Sequence, residues 1–267
     1  MLRSCTTLLG ALVLVGALSA HDSWVQTNTN LVRVGDAVHL DLMLGNHGNN
    51  HRDFKLASKV NFDAITAFEV IGPDGKAVSL KDKLIDLGYE PKEGFWTVKY
   101  PTTQPGLHLA YQTLDTVIAK GQGFRVHHSA KTYFVATPSL DKVSRTNPGF
   151  DKVLGHKMEI VSESNPVTPM GPGTPIKIRL YFQGKPLAAA KVSFIPRGVK
   201  LAEGIDDKFE RLTDKDGRAS FTPTFGNYYL IAAHQRMPEE KGNGYDSTHY
   251  SATLVVYVPD KCPCCEE

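Results

Sequence analysis

Cysteine is almost missing from the body of this chain. Of four cysteines, Cys5 lies in an apolar leader and Cys262, Cys264 and Cys265 crowd the last six residues. No disulfide can therefore staple the region between them, and the fold has to be held by burial. An excess of charge is missing too: 30 Lys and Arg face 28 Asp and Glu with no polybasic block, which argues against a nucleic-acid partner. After the leader no run approaches the ~20 apolar residues a membrane helix needs, so no membrane insertion is expected once the leader is removed. Helical periodicity longer than two turns is absent from the first half of the chain. The sequence has no G-x-S-x-G, no P-loop, no H-E-x-x-H and no dinucleotide fingerprint, and the spacing of its Ser, His and Asp residues selects no triad.

What is present begins with residues 1–20. A single charge at Arg3 and an apolar run from Leu8 to Leu18 read as a secretory signal peptide, ending in the small residues Ser19 and Ala20. Cleavage after Ala20 fits best, with Ala17 as the alternative, and no cysteine follows to take a lipid. Export implies a periplasmic or secreted destination. A cut after Ala20 makes His21 the first residue, and its free amine and imidazole can together chelate one metal ion.

The remainder, 41% hydrophobic over the full chain, reads as an exported β-rich globule. Val38-His39-Leu40-Asp41-Leu42-Met43-Leu44 alternates as a half-buried strand and runs into the Gly/Asn-rich loop that carries His47 and His51. Further strands are expected over 64–71, 95–100, 106–113 and 123–136. Residues 138–173 change character, with Pro138, Pro148, Pro166, Pro169 and Pro172, and read as a linker or crossover with a short helical turn near Phe150 to Leu154. Strands return over 175–182, 190–195, 218–221, 226–233 and 251–258. The expected organisation is all-β: an N-terminal Ig-like or prealbumin-like antiparallel β-sandwich over 21–137, the linker, a second sandwich over 174–258, and a Cys-rich tail over 259–267.

Three runs carry a resemblance. Gly184-Lys185-Pro186-Leu187, Thr213-Asp214-Lys215-Asp216-Gly217-Arg218 and Gly226-Asn227-Tyr228-Tyr229-Leu230-Ile231-Ala232-Ala233-His234 resemble a carboxypeptidase-regulatory-like β-sandwich. With Ala20-His21-Asp22-Ser23-Trp24, Gly45-Asn46-His47, Ser129-Ala130-Lys131-Thr132, Leu154-Gly155-His156-Lys157-Met158-Glu159 and Asn165-Pro166, nearly the whole chain resembles a periplasmic family of unknown function associated with nickel and cobalt uptake, domain-of-unknown-function family 4198. The resemblance implies a secreted two-part β protein that binds a transition metal near an import system. The Cys-rich tail departs from the family pattern, as does His127-His128 where relatives carry a Tyr/Arg-type pair.

Among the histidines, His21 ranks first, because a terminal amine with a pKa of about 7.7–8.0 is readily deprotonated by a bound metal at neutral pH. Nitrogen and oxygen ligands suit Ni(II) and Cu(II), copper ranking above nickel in intrinsic affinity. His47 occupies the family's strand-end position and His51 lies four residues on, though loop composition makes that spacing uninformative. His234 ends an apolar strand at a position where the family also carries His. His127 and His128 are neighbours on a strand and point to opposite faces. His128 shares its face with Phe124, Val126 and Phe134 and is expected to point inward, either as a core histidine or as a ligand. His249 is a weaker candidate, and His39 and His108 are expected to be solvated. Asp214 to Gly217 is expected to be a turn, since calcium-loop spacing would put Phe225 where a Glu is required. Cys262, Cys264 and Cys265 could bind a soft ion, but no fourth ligand lies near them, and a frayed or paired tail is the plainer reading.

The leading expectation is therefore a metal-binding protein taking Ni(II) or Co(II), with Cu(II) as the alternative, through His21 and some of His47, His51, His128 and His234, and passing the ion to a membrane transporter component. A copper redox enzyme built on the same terminal clamp is the second reading, for which only Trp24 and Trp96 offer an aromatic platform. A structural or adhesion module without metal is the third.

Overall fold

The computed structural model describes residues 21–47, 62–88, 94–119 and 121–261. The leader, His51 and the three C-terminal cysteines lie outside them. The described strands are β1 (Asp22–Thr27), β2 (Leu31–Arg33), β3 (Ala37–Gly45), β4 (Ile65–Ile71), β5 (Ala77–Ser79), β6 (Ile85–Asp86), β7 (Trp96–Pro101), β8 (Gly106–Ile118) and β9 (Phe124–Thr137). They continue with β10 (Met158–Ser162), β11 (Ile176–Phe182), β12 (Lys185–Pro186), β13 (Lys191–Pro196), β14 (Glu210–Leu212), β15 (Arg218–Phe221), β16 (Asn227–Met237) and β17 (Thr248–Val258). The only helices among the described residues are two single 3-10 turns, Phe62–Ala64 and Lys81–Lys83. The architecture is an all-β sandwich, as the alternation in the sequence predicts.

A nine-stranded sheet forms the spine, in the order β14-β13-β16-β17-β9-β8-β4-β5 with β2 added to β9. Its neighbours pair antiparallel except where β17 and β2 run parallel to β9. The β17/β9 pairing, from Thr248 opposite Arg125 to Val255 opposite Thr132, joins the strands of residues 21–137 and of 174–258 into one sheet. A four-stranded sheet, β1-β3-β7-β6, covers one face of the spine, and a second four-stranded sheet, of β10, β11, β12 and β15, covers the other.

This layering makes two cores. On one side Val25, Leu40, Leu42 and Val98 of the four-stranded sheet meet Phe68, Ala110, Ala130 and Phe134 of the spine. On the other, Met158, Ile160, Ile178, Leu180 and Phe221 meet Tyr133, Phe194, Ile231 and Leu254. β9 is therefore covered on both faces, and every residue from His127 to Thr137 is buried. A third, smaller cluster of Trp24, Met43, Leu230 and Val255 forms where β1 and β3 reach over β16 and β17.

Two expectations are corrected by this arrangement. His108 is not solvated: it is 1% exposed, stacked on Phe134 at 4.7 Å, with Nδ1 3.1 Å from the Gly106 carbonyl. A sheet covered on both faces buries the strand's polar-looking side as well as its apolar side. The helical turn expected near Phe150 to Leu154 is instead a non-helical turn over 148–151. The same proline-rich stretch also holds a buried strand, β10, antiparallel to β11. The Asp214 loop is a turn as expected: Gly217 N donates to the Asp214 carbonyl, and Asp214 Oδ1 accepts from the backbones of Asp216 and Arg218.

Candidate metal site

Register brings the site together. In the spine His128 of β9 lies opposite Ser251 of β17, and Ser251 lies opposite His234 of β16. Residues opposite one another across strands share a face, so His128, Ser251 and His234 form one row across three strands. β1 runs over that row because its apolar residues bury on both sides, Val25 into the core against Phe134 and Trp24 into the cluster with Leu230 and Val255. The start of β1 is pinned by Thr253 Oγ1, which donates to the Ser23 carbonyl at 2.9 Å. Asp22, the first residue of the strand, is thereby held over the row beside His21.

The central contact is between His234 Nε2 and Asp22 Oδ1, 2.7 Å apart. The His234 side chain is 48% exposed and the Asp22 side chain 12%. The Asp22 charge raises the His234 pKa above the ordinary histidine value, outweighing burial. Burial alone would push Asp22 up, but attraction from His234, with smaller contributions from His128 and His21, leaves its carboxyl below the usual range. The site is thus organised as an ion pair of opposite signs.

His128 differs. Its Nδ1 lies 2.6 Å from Ser251 Oγ, while its Nε2 is buried without a hydrogen-bond partner. Burial depresses its pKa to about 4 against a weaker upward pull from Asp22, so the ring is neutral at physiological pH. A buried unpartnered ring nitrogen is costly and uncommon.

His47 lies two residues beyond Gly45, which pairs with Asp22. It is 2% exposed, with its ring edge-on to Trp24 at 5.4 Å and both ring nitrogens buried without hydrogen-bond partners. Burial, helped by the nearby Arg197 charge, lowers its pKa to about 3, against weaker upward pulls from the Ile195 backbone and, least, from Asp22. Gly198 N donates to its carbonyl at 3.0 Å, which fixes the backbone where β3 ends.

The structure thus brings His21, His128 and His234 to the neighbourhood of Asp22, with His47 on the adjacent strand. His51 lies outside the described residues. Among the described residues no three His, Cys, Asp or Glu side chains already surround one point closely enough to cage an ion. His127 turns to the opposite face, 3.3 Å from Asp115 and stacked on Tyr250 at 5.1 Å. His249 stacks on Phe124 at 4.7 Å. Trp24 is fully buried and therefore offers no aromatic platform.

Sequence reasoning missed Asp22 and Ser251. Nothing in Asp22-Ser23-Trp24-Val25-Gln26-Thr27 alternates in a way that marks a strand, and the Asp22–His234 contact spans 212 residues. Ser251 could have been found only from the register of β17 against its two neighbours.

The fold and this corner define a class: an all-β, multi-sheet sandwich with histidines and a carboxylate gathered where one sheet's first strand crosses another. The family model for a domain of unknown function, DUF4198, matches residues 18–237, and the chain belongs to that family. No curated protein matches it. Among solved structures, the D0-D1 domain of intimin is 11% identical, with 88% of this chain and 97% of that one covered and a TM-score of 0.22. Salmonella alpha-2-macroglobulin is 13% identical, with 89% of this chain but 15% of that one covered and a TM-score of 0.26. A DUF4785 family protein of Legionella pneumophila is 11% identical over 78% of this chain and 52% of that one, with a TM-score of 0.27.

Proposed function

We propose that this protein is an exported, periplasmic or secreted carrier of a transition metal ion, Ni(II) or Co(II) with Cu(II) as the alternative, which it supplies to a membrane uptake system. The observation that carries the reading is the row His128–Ser251–His234 lying under Asp22 and His21. The donors fit such an ion: two or three imidazoles and, after cleavage at Ala20, a terminal amine, with no thiolate among the described residues. His128 adds a buried neutral imidazole whose Nδ1 is held by Ser251. His47 adds a neutral imidazole on the neighbouring strand. Residues 174–258 are read as the carboxypeptidase-regulatory-like half. In support, β13, β16 and β17 face β11 and β15 across Phe194, Phe221 and Tyr229.

The test uses secreted protein whose N terminus has been sequenced. With His21 first, Ni(II), Co(II) or Cu(II) should bind with one-to-one stoichiometry by calorimetry. One alanine added before His21 should remove most of the affinity. Equal binding by both forms refutes the terminal clamp, and no binding by either refutes carriage and leaves a structural module.

A further inference from the structure

We infer that Asp22 is itself a ligand, so that the site offers a mixed nitrogen and carboxylate set to a divalent cation. This rests on the metal-binding reading above and adds to it a residue and an ion class.

The argument begins with distance. Ligand atoms at about 2.0–2.2 Å from a first-row ion stand roughly 3 Å from one another when they occupy neighbouring positions. His234 Nε2 and Asp22 Oδ1 are already 2.7 Å apart. An ion seated to one side of that line can bridge the two atoms once the imidazole and the carboxylate turn so that their lone pairs converge on it, while the separation of the two atoms changes by only a few tenths of an ångström. Neither side chain would have to leave its strand, and the backbone beneath each is fixed by its pairing, Asp22 opposite Gly45 and His234 opposite Ser251.

The second observation is independent of that pair. His128 is 7% exposed, its Nε2 has no partner, and its Nδ1 is held 2.6 Å from Ser251 Oγ. A histidine ligand is ordinarily oriented by a bond from its other ring nitrogen, which leaves the free nitrogen for the ion. His128 has that arrangement, in the same row as His234. With His21 beside Asp22 in the chain, Asp22 has one imidazole adjacent in sequence and two across the sheet.

Charge selects the ion class. Imidazoles and an amine are neutral ligands, and they would leave both positive charges of a divalent ion uncompensated in a partly buried corner, with His128 and the Asp22 side chain beneath it and His234 half exposed. Buried charge is tolerated when it is paired. Asp22 brings one negative charge, and among the carboxylates of the described residues it is the one bonded to a histidine of this row. Oxygen beside nitrogen also favours divalent ions of intermediate softness over Cu(I), which prefers thiolate and thioether ligands.

The test is Co(II) titration of secreted protein with His21 at its N terminus, read by calorimetry and by the visible ligand-field spectrum. The set compared is wild type, Asp22→Asn, Asp22→Glu and His234→Ala. Thermal melts of each metal-free protein identify any variant that has not folded, and Asp22→Glu, which keeps the carboxylate, carries the comparison if Asp22→Asn has not. The expected result is that Asp22→Asn weakens Co(II) by at least the roughly 10–100-fold that loss of an outer-shell partner costs and alters the spectrum at saturation, while Asp22→Glu retains part of the affinity. Asp22→Asn with wild-type affinity, or with weakened affinity and an unchanged saturated spectrum, overturns Asp22 as a ligand. A Glu variant as weak as Asn, or a folded Glu variant with no Co(II) bound, overturns it as well. Binding by wild type that His234→Ala abolishes keeps the carrier reading standing even when Asp22 fails. No Co(II), Ni(II) or Cu(II) bound by wild type overturns both.

Discussion

Replacing Glu159 with alanine should destabilise this protein more than any change to its partner Lys131. Both side chains are 1% exposed, and the Lys131 ammonium donates to Glu159 Oε1 in the core beneath β9 and β10. The carboxylate has three further donors: Leu154 N at 2.7 Å, Gly155 N at 2.8 Å and His156 N at 3.1 Å. Burial pushes Glu159 up, but Lys131 and these amides leave its pKa below the ordinary value. Burial lowers the Lys131 pKa despite Glu159. Removing Glu159 leaves a buried cation and three amides without their acceptor, and breaking such a pair costs about 3–5 kcal/mol. Removing the ammonium with Lys131→Met leaves Glu159 its three amides and fills the space with an apolar side chain, for about 1–3 kcal/mol. At roughly 2–4 °C per kcal/mol for a chain of this size, Glu159→Ala should lower Tm by about 6–20 °C. Urea unfolding at pH 7 on metal-free protein reads the difference. The double variant Lys131→Met/Glu159→Leu should be more stable than Glu159→Ala alone. Equal losses for the two single variants, or a double variant no more stable than Glu159→Ala, would refute the view that Glu159 is the hub of this contact.

Acid should weaken the metal-free protein before its carboxylates titrate. His47 and His156 have folded pKa values pushed down to about 3 and about 4, chiefly by burial. Their stabilisation is therefore complete above about 6.5, the unfolded value, and drains as pH falls toward the folded values. His234 has a raised pKa and works the other way, its contribution being full below about 6.5 and lost as pH rises through its folded value. Urea midpoints should fall between pH 7 and pH 5, and more steeply in His234→Gln; a flat or rising profile in the wild type would contradict the assignment. Ser251→Ala removes the partner of the buried His128 Nδ1 and should cost about 1–2 kcal/mol by urea unfolding, with a metal affinity about 10–100-fold lower by calorimetry. An unchanged unfolding midpoint counts against that hydrogen bond. Trp24→Ala empties a fully buried site in the cluster that ties β1 to β16 and β17, and a thermal melt should register about 3–5 kcal/mol. A loss under 1 kcal/mol would mean that this junction contributes little.

The legible part of this protein is local, and the boundary of legibility follows from how many faces a strand buries. β3 announces itself because Val38, Leu40 and Leu42 bury while His39 is exposed, so alternation and burial agree. β8 and β9 lie in a sheet covered on both sides, and there alternation no longer separates inside from outside, which is why His108 reads as solvated and is buried. The same double coverage lets Tyr133 and Phe134 point into different cores from neighbouring positions. The candidate site lies beyond even that difficulty. His128 and His234 could be singled out by residue type, but their common row depends on a serine of β17 standing between them, a fact of register that no local pattern encodes. Asp22 is further removed, because β1 carries too little periodicity to reveal which of its residues would face the row. Yet the position of Asp22 follows once Trp24 is known to bury against Leu230 and Val255. Residues two apart on a strand share a face, so the residue two before Trp24 is carried toward β16, where His234 stands. The hydrophobic cluster is thus what aims the carboxylate, and loosening it should loosen the site: Trp24→Ala is expected to weaken metal binding as well as the fold. A Trp24→Ala protein that is destabilised but binds Co(II) with wild-type affinity would break that connection between packing and ligand geometry.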